Sequence, residues 1–123
     1  MQDPPPLVSV LIPARNAANT LWETLSSLQA QSFKDFAIVL VDDASSDHTR
    51  AIAEQFAGHF PQGCFQILQG PGKGISAALN VGLSAIQSPL VARLDADDLS
   101  EPLRLERQLR IMDRNPDWLL CGT

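Results

Sequence analysis

Phe36-Ala37-Ile38-Val39-Leu40-Val41-Asp42-Asp43 is the stretch that decides the fold of this chain. Six apolar residues, three of them β-branched, run straight into two carboxylates, as a buried strand does when it ends at a polar loop. A second apolar run, Leu90 to Leu94, ends the same way in Asp95-Ala96-Asp97-Asp98. Five carboxylates are thereby expected on two loops. Two carboxylates about 4 Å apart repel by about 4 kcal/mol at an effective dielectric near 20, so such a grouping calls for a positive or hydrogen-bonding companion. A divalent cation with a nucleotide diphosphate meets that requirement.

Outward from these runs, strand and helix patterns alternate. Leu7 to Ile12 is a short apolar, β-branched run closed by Pro13, in the manner of a buried parallel strand and its exit loop. Thr20 and Glu23 form a capping-box pattern, and Leu21, Leu25 and Leu28 recur at helical spacing, which predicts a helix from Thr20 to about Gln31. Ser45, Ser46 and Asp47 offer N-cap side chains for a helix that turns Ile52, Ala53 and Phe56 inward, and Gly58 stands where a left-handed C-terminal residue is wanted. Phe65 to Gln69 reads as a third strand and Ile75 to about Ala85 as a third helix. Ser88-Pro89 leads into the strand Leu90 to Leu94. Ser100 and Pro102 open a last helix that runs to Asn115-Pro116, and Trp118 to Cys121 begins a fifth strand. The crossovers are long enough to join parallel neighbours in a right-handed sense. The expected fold is therefore α/β, a doubly wound, mainly parallel, Rossmann-like sheet with helices on both faces, occupying 7–123 behind a flexible tail, 1–6. Ligands of such sheets bind outside the carboxyl ends of the strands, here the loops after Ile12, Val41, Gln69 and Leu94.

Composition narrows the partners. The chain has 123 residues, 45% hydrophobic and 19% charged, enough for one soluble domain with its own core. A net charge of −5 with scattered basic residues argues against nucleic acid. Arg104, Arg107, Arg110 and Arg114 are helically spaced and interleaved with Glu106 and Asp113, a solvated helix face. No run approaches the roughly 18 apolar residues of a membrane span, and Met1 to Pro6 has no signal-peptide character, so a cytoplasmic domain is expected. Cys64 and Cys121 lack metal-ligand spacing and read as buried thiols; His48 and His59 do not suggest zinc, and Trp22 and Trp118 read as packing residues.

Gly70-Pro71-Gly72-Lys73-Gly74 precedes the third helix. It fits neither the Walker pattern, because Gly74 follows Lys73, nor the dinucleotide pattern, because position 75 is Ile75. Its glycines, the helix start and Lys73 suit a phosphate, and the same loop equally suits a plain flexible turn.

Four stretches, Val8 to Asn16, Val41 to Asp47, Gly74 to Gly82 and Leu94 to Asp98, together resemble the family 2 glycosyltransferases of the GT-A fold, in the family's order. The resemblance implies transfer of a sugar from a nucleoside diphosphate donor, with a UDP-sugar favoured. It implies that Pro13, Ala14, Arg15 and Asn16 line the nucleotide pocket, that Asp42 accepts from the base with Asp43 close by, and that Lys73, Gly74 and Ala78 belong to the donor site. Asp95, Ala96 and Asp97 occupy the DxD position, with Asp95 near ribose and metal and Asp97 holding Mn²⁺ or Mg²⁺ against the diphosphate. Such ions take hard oxygen ligands and keep much of their shell as water or phosphate, so one or two carboxylates suffice. Taken singly, Asp43, Asp47 and Asp98 are equally at home as ligands and as helix caps, whereas Asp95 and Asp97 are not needed to cap a helix that Ser100 serves. Many relatives carry Arg where this chain has Leu79. The resemblance also implies an acceptor half with the general base beyond Thr123, so this chain is expected to bind donor and metal without turnover. A nucleotidyltransferase, a receiver-like signalling domain and a non-catalytic nucleotide-binding module are the alternatives. The first lacks its Gly-rich loop after the first strand, and the second would need an Asp where Gln69 stands.

Overall fold

A computed structural model describes residues 5–117. Strands and helices alternate as β1 (Val8–Ala14), α1 (Leu21–Gln29), β2 (Phe36–Asp42), α2 (Thr49–Ala57), β3 (Phe65–Gln69), α3 (Ile75–Ala85), β4 (Leu90–Arg93) and α4 (Arg104–Arg114). The four strands form one parallel sheet in the order β3-β2-β1-β4. The expected α/β doubly wound, Rossmann-like sheet is the observed one. The expected strand at Trp118 to Cys121 lies outside the described residues.

Strand alternation separates two cores. Val8, Val10, Ile12 and Ala14 of β1, with Phe36, Ile38 and Leu40 of β2, pack under Leu21, Leu25 and Leu28 of α1, Phe56 of α2 and Leu105 of α4. Leu11, Val39 and Val41 point to the other face and meet Ala78 of α3. Each fully buried large side chain contributes about 1.5–3 kcal/mol, and this double burial is why β1 and β2 read as continuous apolar runs. Trp22 is half-exposed yet sets its ring edge against Phe56 at 4.7 Å, as a packing residue. Cys64 is only partly covered, less than the sequence suggests, because it precedes β3 at the sheet's edge.

Helix ends depart most from expectation. The Thr20 hydroxyl does not cap α1; it donates to the carbonyls of Ala96 (3.0 Å) and Ala17 (3.4 Å). Of the three caps offered to α2, only Asp47 serves, its Oδ1 accepting the Thr49 N–H at 3.0 Å, while Ser45 and Ser46 bond to Asn16. Gly58 is right-handed at φ −64°, so α2 ends without a left-handed residue. Ser100 does not cap α4, which starts at Arg104; its hydroxyl instead accepts from Gln31 Nε2 at 3.0 Å. For Thr20, Ser45, Ser46 and Ser100, a polar group distant in sequence competed successfully for the residue.

Candidate functional site

The strand order fixes where a crevice opens. The chain steps from β1 to β2 to β3 in one direction and then returns to the far side of β1 for β4, so the order reverses between β1 and β4. Helical connections leave opposite faces there, and the carboxyl ends of the two strands are left uncovered. Pro13 widens the gap. Leu11 accepts from the Leu94 N–H (3.1 Å) and Ala14 from the Asp43 N–H (2.8 Å), so alternate residues of β1 face β4 and β2. Pro13 therefore faces β4 with no N–H to offer, the ladder stops at the Leu11–Arg93 pair, and the Asp95–Asp98 loop peels away. The result is a cleft of about 400 Å³ lined by Pro13, Arg15 and Asn16 on one side and Asp95, Ala96 and Asp97 on the other.

The acidic side of this cleft is held from beneath. The Ala96 carbonyl accepts from both Thr20 (3.0 Å) and Thr24 (2.9 Å) of α1, and the Ala96 methyl is buried in the core. Carboxylate oxygens of Asp95, Asp97 and Asp98 lie within 4.8 Å of one another, all exposed. Arg93 donates to Asp95 Oδ1 at 2.9 Å, a half-exposed pair worth at most about 1 kcal/mol. Arg104 donates to the Arg93 carbonyl at 2.8 Å; partial burial holds its guanidinium below the usual arginine range, and Asp98 opposes that shift. The donor set is all hard carboxylate oxygen, short of a closed cage and open to solvent. That composition fits Mg²⁺ or Mn²⁺ bound jointly with a phosphate.

The loop opposite is equally well built. Asn16 adopts the left-handed region at φ 51°, its N–H donates to Ser45 Oγ (2.9 Å), and its Oδ1 accepts from the Ser46 N–H (2.8 Å). The Ala17 N–H donates to Thr49 Oγ1 at 2.8 Å and the Ala18 N–H to Asp47 Oδ2 at 3.1 Å. The exit of β1 is thereby laced to the exit of β2, where Asp42 stands in register with Ala14. Since β1 separates β2 from β4, Asp42 and the Asp95 loop flank the same strand end, about 10 Å apart by two interstrand spacings. That span suits the two ends of one nucleotide and exceeds what one ion bridges.

The expected site residues consequently divide into groups. Pro13, Arg15, Asn16, Asp95, Ala96 and Asp97 share the cleft, whereas Ala14 is buried behind it. Asp42 and Asp43 are buried, and the five carboxylates do not gather as one cluster. Asp42 Oδ1 accepts from the Ser45 N–H at 3.2 Å. Asp43 accepts from Gly72 N–H (2.7 Å) and Gly74 N–H (3.3 Å). Lys73 is exposed on that glycine loop. Ala78 is wholly buried against Leu11 and Val41, where it packs α3 on the sheet. Asn19 and Thr20 also line the cleft and were not legible as site residues, since Thr20 carried a helix-start pattern. A larger recess of about 750 Å³ lies across Asp95, between β4 and α4, bounded by Arg93, Leu99, Arg104 and Ile111.

Known proteins resemble this chain in sequence and fold. The profile of Glycosyl transferase family 2 matches residues 9–123. EpsE of Bacillus subtilis is 38% identical over 118 residues, 96% of this chain and 42% of EpsE. TarS of S. aureus, solved in complex with UDP, superposes with a TM-score of 0.75 at 30% identity, over 87% of this chain and 32% of that one. The mannosyltransferase PcManGT of Pyrobaculum calidifontis, solved with GDP-Man and Mn²⁺, gives 0.79 at 28% identity, over 87% and 32%. The chain thus spans less than half the length of these relatives. With the profile covering nearly all of it and both acidic strand exits in place, the chain belongs to glycosyl transferase family 2.

Proposed function

We propose that this chain is the donor-binding part of an inverting glycosyltransferase, holding a nucleoside diphosphate sugar across the carboxyl ends of β2, β1 and β4. One observation carries the reading: the cleft at the reversal of strand order sets Asp95 and Asp97, two of three clustered carboxylates, opposite the Pro13–Asn16 turn. TarS with UDP and with UDP-GlcNAc, and PcManGT with GDP-Man and Mn²⁺, support it.

In this reading Asp42, whose Oδ1 is committed to Ser45, offers its remaining oxygen to an N–H of the base. Arg15 and Asn16 border the nucleotide, and exposed Lys73 supplies a mobile positive charge toward phosphate. Asp97 and Asp95 would hold Mn²⁺ or Mg²⁺, with Thr20 and Thr24 fixing the backbone between them through Ala96. A cation held by these carboxylates would supply charge stabilisation for the departing diphosphate. The acceptor oxygen attacks the anomeric carbon from the opposite side and gives its proton to a general base, and the nucleoside diphosphate leaves. A UDP-sugar is the favoured donor.

Calorimetric titration of the chain with UDP, with and without Mn²⁺, tests this. Mn²⁺ should tighten binding by about tenfold or more, a coupling of about 1.4 kcal/mol, and Asp97→Ala should abolish the difference. Equal UDP affinity with and without the metal would exclude the role given to Asp97.

A further inference from the structure

The buried side of α1 carries two kinds of residue. Leu21, Leu25 and Leu28 pack on the sheet, as their apolar spacing requires. Thr20, Thr24, Ser27 and Gln31 recur at helical spacing beside them, along the helix and just past its end. Thr24 and Gln31 are only 1% exposed, so a hydroxyl and an amide have been withdrawn from water where an apolar side chain would be cheaper. What they reach is the segment between β4 and α4, residues 94–103, which forms neither strand nor helix and must find partners for its backbone elsewhere. The bonds fall on both sides of Asp97 and Asp98. Upstream, the Ala96 carbonyl accepts from Thr24 Oγ1 at 2.9 Å and from Thr20 Oγ1 at 3.0 Å. Downstream, the Ser100 N–H donates to Ser27 Oγ at 2.9 Å, and Gln31 Nε2 lies 3.0 Å from Ser100 Oγ, 3.2 Å from the Ser100 carbonyl and 2.6 Å from the Glu101 carbonyl. Ser27 gives its own proton to the Thr24 carbonyl at 2.6 Å, which leaves its lone pairs for Ser100. Between these anchors the Asp97 and Asp98 carboxylates stay within 4.8 Å of each other and of Asp95, despite their like charge.

We propose that Thr24, Ser27 and Gln31 are positioning residues for the cation: α1 clamps the acidic loop at Ala96 and again at Ser100, and so keeps its carboxylates gathered in advance of the ion. The proposal rests on the donor-site reading above. Without the clamp the like charges would splay, and a cation would have to order the loop as it bound, which lowers affinity. Groups that orient metal ligands from behind are worth about 10–100-fold in metal affinity. Thr24, Ser27 and Gln31 all lie away from the lining of the cleft, which Thr20 does join, so the first three act only through the loop.

Mn²⁺ titrated into the chain saturated with UDP, with free ion counted by electron paramagnetic resonance, tests the clamp; UDP titrated without metal is the reference. Thr24→Val keeps shape and burial and removes a donor to Ala96, and Ser27→Ala removes the acceptor of the Ser100 N–H. Each should weaken Mn²⁺ by about tenfold, the low end of the range because the other anchor persists, and leave metal-free UDP affinity within about twofold. Thr24→Ser returns the hydroxyl and should recover parental Mn²⁺ affinity. Leu28→Val trims the apolar side of the same helix, so it should lower the urea midpoint and keep parental Mn²⁺ affinity. Parental Mn²⁺ affinity in both Thr24→Val and Ser27→Ala would overturn the clamp. An equal loss in Leu28→Val would overturn it too, by reducing the effect to stability, as would a Thr24→Ser chain that fails to recover. A parent chain that binds UDP equally with and without Mn²⁺ would reject the ion site itself, and the clamp with it.

Discussion

Gln31 is the least conspicuous residue on which the acidic loop depends, and its replacement by Met gives a sharp test. The side chain is 1% exposed, and its Nε2 lies 2.6 Å from the Glu101 carbonyl, 3.0 Å from Ser100 Oγ and 3.2 Å from the Ser100 carbonyl. Its Oε1 accepts the buried Leu105 N–H at 3.3 Å. One amide thus ties the end of α1 to the segment that carries the chain from Asp98 into α4. Methionine matches it in length and is apolar, so the volume is kept and the hydrogen bonds are lost. The Leu105 N–H and the Ser100 oxygens are buried and cannot turn to water, at about 1–3 kcal/mol for each group left unpaired. The exposed Glu101 carbonyl rehydrates at little cost, which sets the net near 2–4 kcal/mol. With a urea dependence of about 1–3 kcal/mol per molar, the denaturation midpoint should fall by about 1–2 M. Gln31→Glu should do at least as much harm at neutral pH, because a carboxylate would face the carbonyl oxygens of Ser27, Ser100 and Glu101, and should recover in acid, when a protonated carboxyl can donate. A Gln31→Met midpoint within about 0.3 M of the parent would refute the reasoning, since that is the scale of a neutral surface change.

Ala44 sits at φ 59°, left-handed without glycine's freedom, so Ala44→Gly should stabilise the chain by about 1 kcal/mol, read as a higher urea midpoint; no gain would mean the turn is unstrained. Asp47→Ala should be less stable than the parent at neutral pH, by a gap that narrows in acid. The Thr49 hydroxyl, followed by backbone N–H groups of Thr49 and Ala18, holds the Asp47 carboxyl below its usual range. A lowered folded-state value means that its stabilisation is complete above the unfolded value, about 4, and is lost as pH falls through the folded one. Urea melts from pH 7 downward should show that trend, and a gap constant into strong acid would oppose it.

Much of the molecule was legible because burial on both faces writes an uninterrupted apolar run. β3 and α3 fall on the residues that the pattern indicates, and β1 and β2 differ only at their ends. Pro13 was legible as a strand terminator and acts as one, but only on the β4 side, while pairing with β2 continues to Ala14. What sequence could not order was competition among polar side chains. Thr20, Ser45 and Ser100 each stand where a helix cap is useful, and each is claimed by a residue at least 29 positions away. The carboxylates show the same limit. A cluster read along the chain as Asp42 and Asp43 with Asp95, Asp97 and Asp98 separates in space because β1 lies between the two exits, and only the latter three come together. Gln31 gave no signal, since a glutamine at the end of an amphipathic helix is unremarked until its partners, about 70 residues on, are known.

The central place of β1 has an evolutionary corollary. One wall of the groove is contributed by the βα units on the β2–β3 flank and the other by the β4 loop, with only the short Pro13–Asn16 turn common to both. On the donor-site reading proposed above, substitutions that refit the first wall to a different heterocycle would leave the acidic wall untouched. Two relatives solved with uridine and guanosine donors on one shared scaffold are the outcome such independence allows.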